Sequence, residues 1–167
     1  MKEMNSEYIL EAIDREFPEA ILDASETHGM LTIEIKKEEI KKVIHFLKVS
    51  SLNFHFLTDV CGIHYPDNKE KELGVIYHLH NMVENVRIRL KTFMPREGAE
   101  VESLVDLFAG ANWMERETYD FFGIKFTGHP DLRVILNMPD LGYHPLLKEY
   151  RLEDGTRTDK NDLMFGR

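Results

Sequence analysis

An α+β fold is what the sequence predicts: two helices packed on one face of a mixed, mainly antiparallel sheet, followed by an irregular C-terminal extension. Two observations lead there. Apolar residues recur with helical spacing twice and with strand spacing five times, in the order helix, two strands, helix, three strands. After about residue 110 that periodicity gives way to a stretch dense in charge, Gly, Pro and aromatic residues.

The first helix is expected over Glu7–Phe17, with Ser6 as its cap. Ile9, Leu10, Ile13 and Phe17 recur at helical spacing, and Pro18 stops the run. Ala20–Ala24 reads as a short strand and His28-Gly29 as a turn. Met30–Ile35 alternates, with Leu31, Ile33 and Ile35 on one face and Thr32 and Glu34 on the other, which predicts a half-buried strand paired with its predecessor. Lys37–Val49 carries the clearest helical stripe, formed by Ile40, Val43, Ile44 and Leu47.

Asn53–Gly62 and Leu73–His80 are apolar enough for strands, and the polar run Pro66–Glu72 between them is a solvated loop. Asn81–Asn85 turns the chain into Val86–Phe93. There Val86, Ile88 and Leu90 alternate with Arg87, Arg89 and Lys91. That basic row is a solvated or ion-paired sheet face, or a surface for an acidic partner. Pro95 closes the sheet region. Val101–Phe108 is expected to form a short helix stopped by Gly110, and Asn112 to cap the next one, with Glu115 completing a capping box. The division that follows is an α+β domain over 1–110 and a signature helix with a partner-binding extension over 111–167.

Composition narrows the function. The chain has 167 residues, 43% apolar, enough for one cored domain. A formal net charge of −9 argues against a nucleic-acid ligand, because phosphate binding relies on clustered Lys and Arg. No apolar run approaches the roughly 18–20 residues of a membrane helix, and the N-terminal stretch carries acids through its apolar positions, unlike a signal peptide. The one cysteine, Cys61, forms no disulfide within the chain and cannot by itself hold an iron–sulfur cluster. In an apolar strand it reads as a small buried hydrophobe rather than a nucleophile.

The chemistry-bearing residues have two readings each. Glu115, Glu117 and Asp120 could form an acid–base pair or metal site; as a helix-surface set they would cap and pair, Arg116 with Asp120 at four residues' spacing. His129 and His144 each precede a proline and are held out of helices. With a carboxylate they would make a transition-metal set; otherwise they are hydrogen-bonded turn histidines. His78 and His80 make an HLH pair that reads the same two ways, while His45, His55 and His64 carry no signal. Phosphate-binding glycine loops and a serine-nucleophile elbow are absent. An aperiodic aromatic-rich segment must satisfy its backbone groups and bury its rings somewhere, and a partner protein does both.

Glu115–Arg133, ERETYDFFGIKFTGHPDLR, resembles the signature of the thirty-kilodalton (30-kDa) C subunit of respiratory complex I, the NADH:quinone oxidoreductase. Glu115, Arg116, Glu117, Asp120, Gly123, Gly128, His129, Pro130, Leu132 and Arg133 fall in place. The following YHPLLKEY is similar to the family's second His-Pro element through His144, Pro145, Leu146 and Lys148. Val134, Tyr143 and Leu147 depart from it, standing for an Arg, a Gly and an Arg.

The resemblance implies a non-redox structural subunit of a peripheral arm, with no catalytic, cofactor-binding or metal residue of its own. It would scaffold the large quinone-site subunit and the iron–sulfur subunits. NAD, FMN, quinone and iron–sulfur clusters would belong to the assembled, proton-pumping complex at the cytoplasmic face of a bacterial inner membrane. The departures leave open, as the alternative, the equivalent subunit of a membrane-bound hydrogenase or a ferredoxin-fed relative. In this reading Glu115, Arg116, Glu117 and Asp120 fix the helix and the following turn by ion pairs. Gly123 and Gly128 permit tight backbone, Pro130 and Pro145 stiffen the extension, and Arg133 and Lys148 reach a neighbouring subunit.

Overall fold

The computed structural model describes residues 4–150. Helix α1 (Ser6–Glu16) leads into the hairpin β1 (Ile21–Thr27) and β2 (Met30–Ile35), then helix α2 (Ile40–Val49). Strands β3 (Phe56–His64), β4 (Leu73–Asn81) and β5 (Val86–Met94) follow. Strand β6 (Glu100–Glu102), helix α3 (Ala111–Phe122) and strand β7 (Lys125–Thr127) complete the described elements. The sheet order is β1-β2-β5-β4-β3, with β2 parallel to β5 and the other pairs antiparallel. This is the mixed, mainly antiparallel sheet expected.

Register explains the core. Ile33 stands opposite Leu90, Leu90 opposite Tyr77, and Tyr77 opposite Val60, so these side chains share one face across four strands. Ile9 and Ile13 of α1 and Ile40, Val43, Ile44 and Leu47 of α2 join the same buried cluster. Burying each such side chain contributes about 1.5–3 kcal/mol. The third helix belongs to this layer too. Thr118 Oγ1 donates to Val60 O at 3.4 Å, and Phe122 sits over Gly62, where a Cβ would come within 2.4 Å of its ring. Lys48 of α2 donates to Leu107 O and ties the 103–110 turns to the helix layer.

Four local expectations are corrected. The cap of α1 is Asn5, whose Oδ1 accepts from Tyr8 N at 2.9 Å; Ser6 donates instead to Glu26 of β1. Strand β2 is buried on both faces, because Thr32 and Glu34 lie in register with Arg89 and Lys91 and Lys71 reaches over to pair with Glu34. Val101–Phe108 is not a helix. Val101 pairs with Phe126 in the parallel β6–β7 ladder, Ser103 N donates to Thr127 O, and Val105 N turns back to Ser103 Oγ. Asn112 lies inside α3, which starts at Ala111 without a side-chain cap, so no capping box forms.

Candidate functional site

The chemistry gathers around α3 and the segment after it. Glu115 is fully buried and faces the 103–108 turns. Its Oε2 accepts from Ser103 Oγ at 2.6 Å and its Oε1 from Leu104 N at 2.6 Å. Burial pushes its carboxyl up to about 7, against the lowering effect of those two hydrogen bonds. Glu115 therefore anchors the chain before the helix.

Arg116 and Asp120 anchor the chain after it. The expected Arg116–Asp120 pair does not form. The Nε and Nη2 of Arg116 donate to the carbonyls of Arg133 and Val134, both at 3.1 Å, and its guanidinium stacks on Trp113. Asp120 Oδ2 accepts from the main-chain N–H of Ile135, Leu136 and Asn137 at 2.8–3.0 Å, and its Oδ1 from Asn137 Nδ2 at 3.0 Å. Burial raises the Asp120 carboxyl, but the four hydrogen bonds outweigh burial and hold it below the usual carboxylate range. One helix face thus reads the backbone of five consecutive residues, 133–137, accepting from its amides and donating to its carbonyls. The helix is fixed less by ion pairs than by bonds to main chain.

The two histidines of the His-Pro pairs serve the same clamp. His129 Nε2 donates to Asn112 O at 3.2 Å while its Nδ1 accepts from Asp131 N at 3.0 Å, so both ring nitrogens are engaged. His144 Nδ1 donates to Asp120 O at 2.9 Å, and its ring meets Tyr119 edge-on. The two rings therefore sit at opposite ends of α3, about 12 Å apart along the axis. They do not converge on one ion, and among the described residues no group of three or more His, Cys, Asp or Glu could hold a metal. The HLH pair is likewise engaged. His78 Nε2 accepts from Arg89 Nε at 2.9 Å, and His80 Nε2 bonds Asn85 Oδ1 at 3.2 Å.

Gly123 ends α3 with φ +77°, and a Cβ there would come within 2.6 Å of the His144 ring. Gly128 has φ +83° with open space around it, so its need is conformational. Pro130 is exposed and Pro145 half-buried; Leu132 packs against the core, Leu146 is exposed and Leu147 is buried. Arg133 pairs with Asp131, Lys148 points to solvent, and Glu117 is exposed on α3.

Three contributors are invisible in the sequence. His64, which carries no signal there, is 3% exposed; its Nε2 bonds Glu72 at 3.2 Å and its Nδ1 accepts from Lys148 N at 2.9 Å. Arg96 holds Glu149 in a two-pronged pair at 2.6 and 2.8 Å. Ser103 belongs to Glu115. Each acts across a sequence gap, so no spacing rule could find it. Cys61 is half-buried, and burial first, then Asp59, pushes its thiol up to about 11, which leaves it a poor nucleophile.

The result is a non-repetitive strap, 128–150, lashed to α3 and to the ends of β3 and β5. Its outer side, with neighbouring Trp113, shows large apolar residues to solvent: Leu136 at 65%, Met138 at 66%, and Tyr143, Leu146 and Tyr150 less so. A backbone held in this way, with apolar side chains turned outward, is an arrangement that docking surfaces use.

Residues 33–156 match the family model described as respiratory-chain NADH dehydrogenase, 30 Kd subunit. The C subunit of the NADH-quinone oxidoreductase of Xanthobacter autotrophicus is 46% identical over 132 residues, covering 78% of this chain and 62% of that protein. The C subunit of the F(420)H(2) dehydrogenase of Methanosarcina mazei is 39% identical over 150 residues, covering 88% of this chain and 92% of its own. A solved trypsin-resistant fragment (1-134) of Nqo5 superposes with TM-score 0.65 at 30% identity, covering 75% of this chain and 98% of the fragment.

Proposed function

Given that the chain belongs to the family of the 30-kDa subunit of the respiratory-chain NADH dehydrogenase, we propose that it is a non-redox structural subunit of the peripheral arm of an NADH:quinone oxidoreductase. Other subunits of that complex are its partners. The large quinone-site subunit takes the strap, and the iron–sulfur subunits lie nearby. NAD, FMN, quinone and the clusters reside in those partners. The chain sits at the cytoplasmic face of a bacterial inner membrane through the complex; no helix among the described residues is long and apolar enough to cross a membrane.

The observation that carries this reading is the strap. Asp120 and Arg116 hold an irregular backbone in place while Leu136 and Met138 stay out in water. Water gains nothing from that arrangement, and a partner surface does. The residues facing outward in this scheme are Glu117, Arg133 and Lys148; the signature residues Glu115, Arg116, Asp120, Gly123, His129 and His144 shape the strap from within. Within the part after residue 110, α3 and β7 pack with the sheet scaffold, and the strap is the partner-facing part.

The test is to replace Leu136 and Met138 by Ser together, and separately Glu117 by Ala, in the native organism. Expected is less assembled complex on native gels, with turnover per assembled complex unchanged. Normal assembly with lost turnover would sink the scaffold reading. The Methanosarcina relative is named for a different electron donor, and it favours a second reading in which the same subunit serves a non-NADH complex. Mass spectrometry of the subunits recovered in mild detergent separates the two by whether an NADH-oxidising subunit is among them.

A further inference from the structure

The helices all lie on one face of the sheet, and the opposite face is open along its centre. Strand β5 runs down that open face and presents Arg87, Arg89 and Lys91. Among the described residues no carboxylate lies within ion-pair distance of these three cations. Glu34, the register partner of Lys91, is taken by Lys71.

His78 stands opposite Arg89 on the same face. Its Nε2 accepts from Arg89, so its proton is on Nδ1, and Nδ1 is buried without a hydrogen-bond partner, with Asp59 Oδ2 3.7 Å away. Burial and Arg89 both disfavour a second proton on that ring. Along β5 the face therefore carries a row of three cations with no carboxylate among the described residues paired to them, Asp59 lying two strands away beside His78, on a chain whose net charge is −9. Apolar side chains border it: Phe56 is 49% exposed, Ile76 is half-buried between β3 and β5, and Met82 and Val83 stand out at the β4–β5 turn. Asn81 stiffens that turn by accepting from Val83 N and Glu84 N.

We propose that this open sheet face, along β5, receives an acidic segment of a second protein. Its carboxylates pair with Arg87, Arg89 and Lys91, and its apolar side chains meet Phe56 and Ile76. The surface is distinct from the strap, which fastens at the far ends of the same strands through His64 and Arg96. The proposal rests on the reading of the chain as a subunit of a larger complex and adds the chemistry of one contact. A pairing of this kind fixes register and partner choice more than raw affinity.

The test uses the assembled complex, with p-benzoylphenylalanine in place of Ile76. Irradiation is expected to join the chain to a peptide of another subunit that carries more Asp and Glu than Lys and Arg. R87E/K91E should lower the crosslink yield by about tenfold or more, and R87Q/K91Q by less, while the other subunits still co-purify. Co-purification with no crosslink, or a crosslink to lipid or to a peptide without acidic excess, overturns the proposal and leaves the subunit reading standing. Failure of the unsubstituted chain to co-purify with any subunit overturns both.

Discussion

Asp120→Ala should release the strap without unfolding the sheet. The wild-type carboxylate accepts three main-chain N–H bonds and one from Asn137 Nδ2. Each hydrogen bond to a charged group contributes about 1.5–3 kcal/mol, but the four share one carboxylate and the freed amides lie near enough to water to be resolvated. The net loss is then about 3 kcal/mol, not the sum of four.

Trypsin reads this directly. The Arg133 side chain is 69% exposed, yet its carbonyl and that of Val134 are held by Arg116, so the bond between them is cut only when the clamp opens. Where opening and closing are fast relative to cleavage, the rate follows the opening equilibrium, and about 3 kcal/mol corresponds to roughly a hundredfold. Cleavage after Arg133 should accelerate by about that factor in Asp120→Ala, while cleavage after Lys125 in β7 stays slow. Asp120→Asn keeps one acceptor oxygen and should accelerate it only about fivefold.

Acid should act in the same direction. The Asp120 carboxyl is held below its ordinary 3.8, so its contribution is present above that pH and is lost as pH falls through the lower folded value. A change of less than threefold in Asp120→Ala would refute the clamp. So would equal acceleration at Lys125, because the segment would then open only with the whole fold.

Other residues make separate predictions. The Glu115 carboxyl is raised to about 7 from 4.5, so the folded chain binds that proton more tightly, and stability should fall as pH rises from about 4.5 to 7. The shift corresponds to about 3 kcal/mol at most, and urea unfolding of Glu115→Gln should lose most of that slope. Gly123→Ala meets both a left-handed φ and the His144 ring, and should cost about 2–3 kcal/mol in the same assay. His64→Ala removes the acceptor for Lys148 N and the partner of Glu72, and should speed trypsin cleavage after Lys148 by about tenfold. Unchanged protection there would mean that Arg96–Glu149 alone holds the strap's end.

The strands and the first two helices are legible in the sequence because their signal is local. Leu31, Ile33 and Ile35 alternate whatever surrounds them, and Ile40, Val43, Ile44 and Leu47 make a stripe on any helix. Capping is less legible, since Asn5 and Ser6 are equally competent and Glu26, twenty residues on, decides between them. The 101–108 stretch misleads for a like reason: Val101 finds a strand partner at Phe126, and no window of eight residues contains it.

The signature residues can be picked out by resemblance, but their work cannot be read from their spacing. Arg116 and Asp120 are placed to pair on a helix, yet main-chain groups brought up by the returning chain displace each from the other. A lone His64 in an apolar strand says nothing until Lys148, eighty-four residues later, comes to rest against it. Local periodicity decides which backbone conformations form, because side-chain burial repeats with the helix or strand. Hydrogen-bond partners are decided by what the tertiary fold carries within about 3 Å, and that distance has no image in sequence spacing.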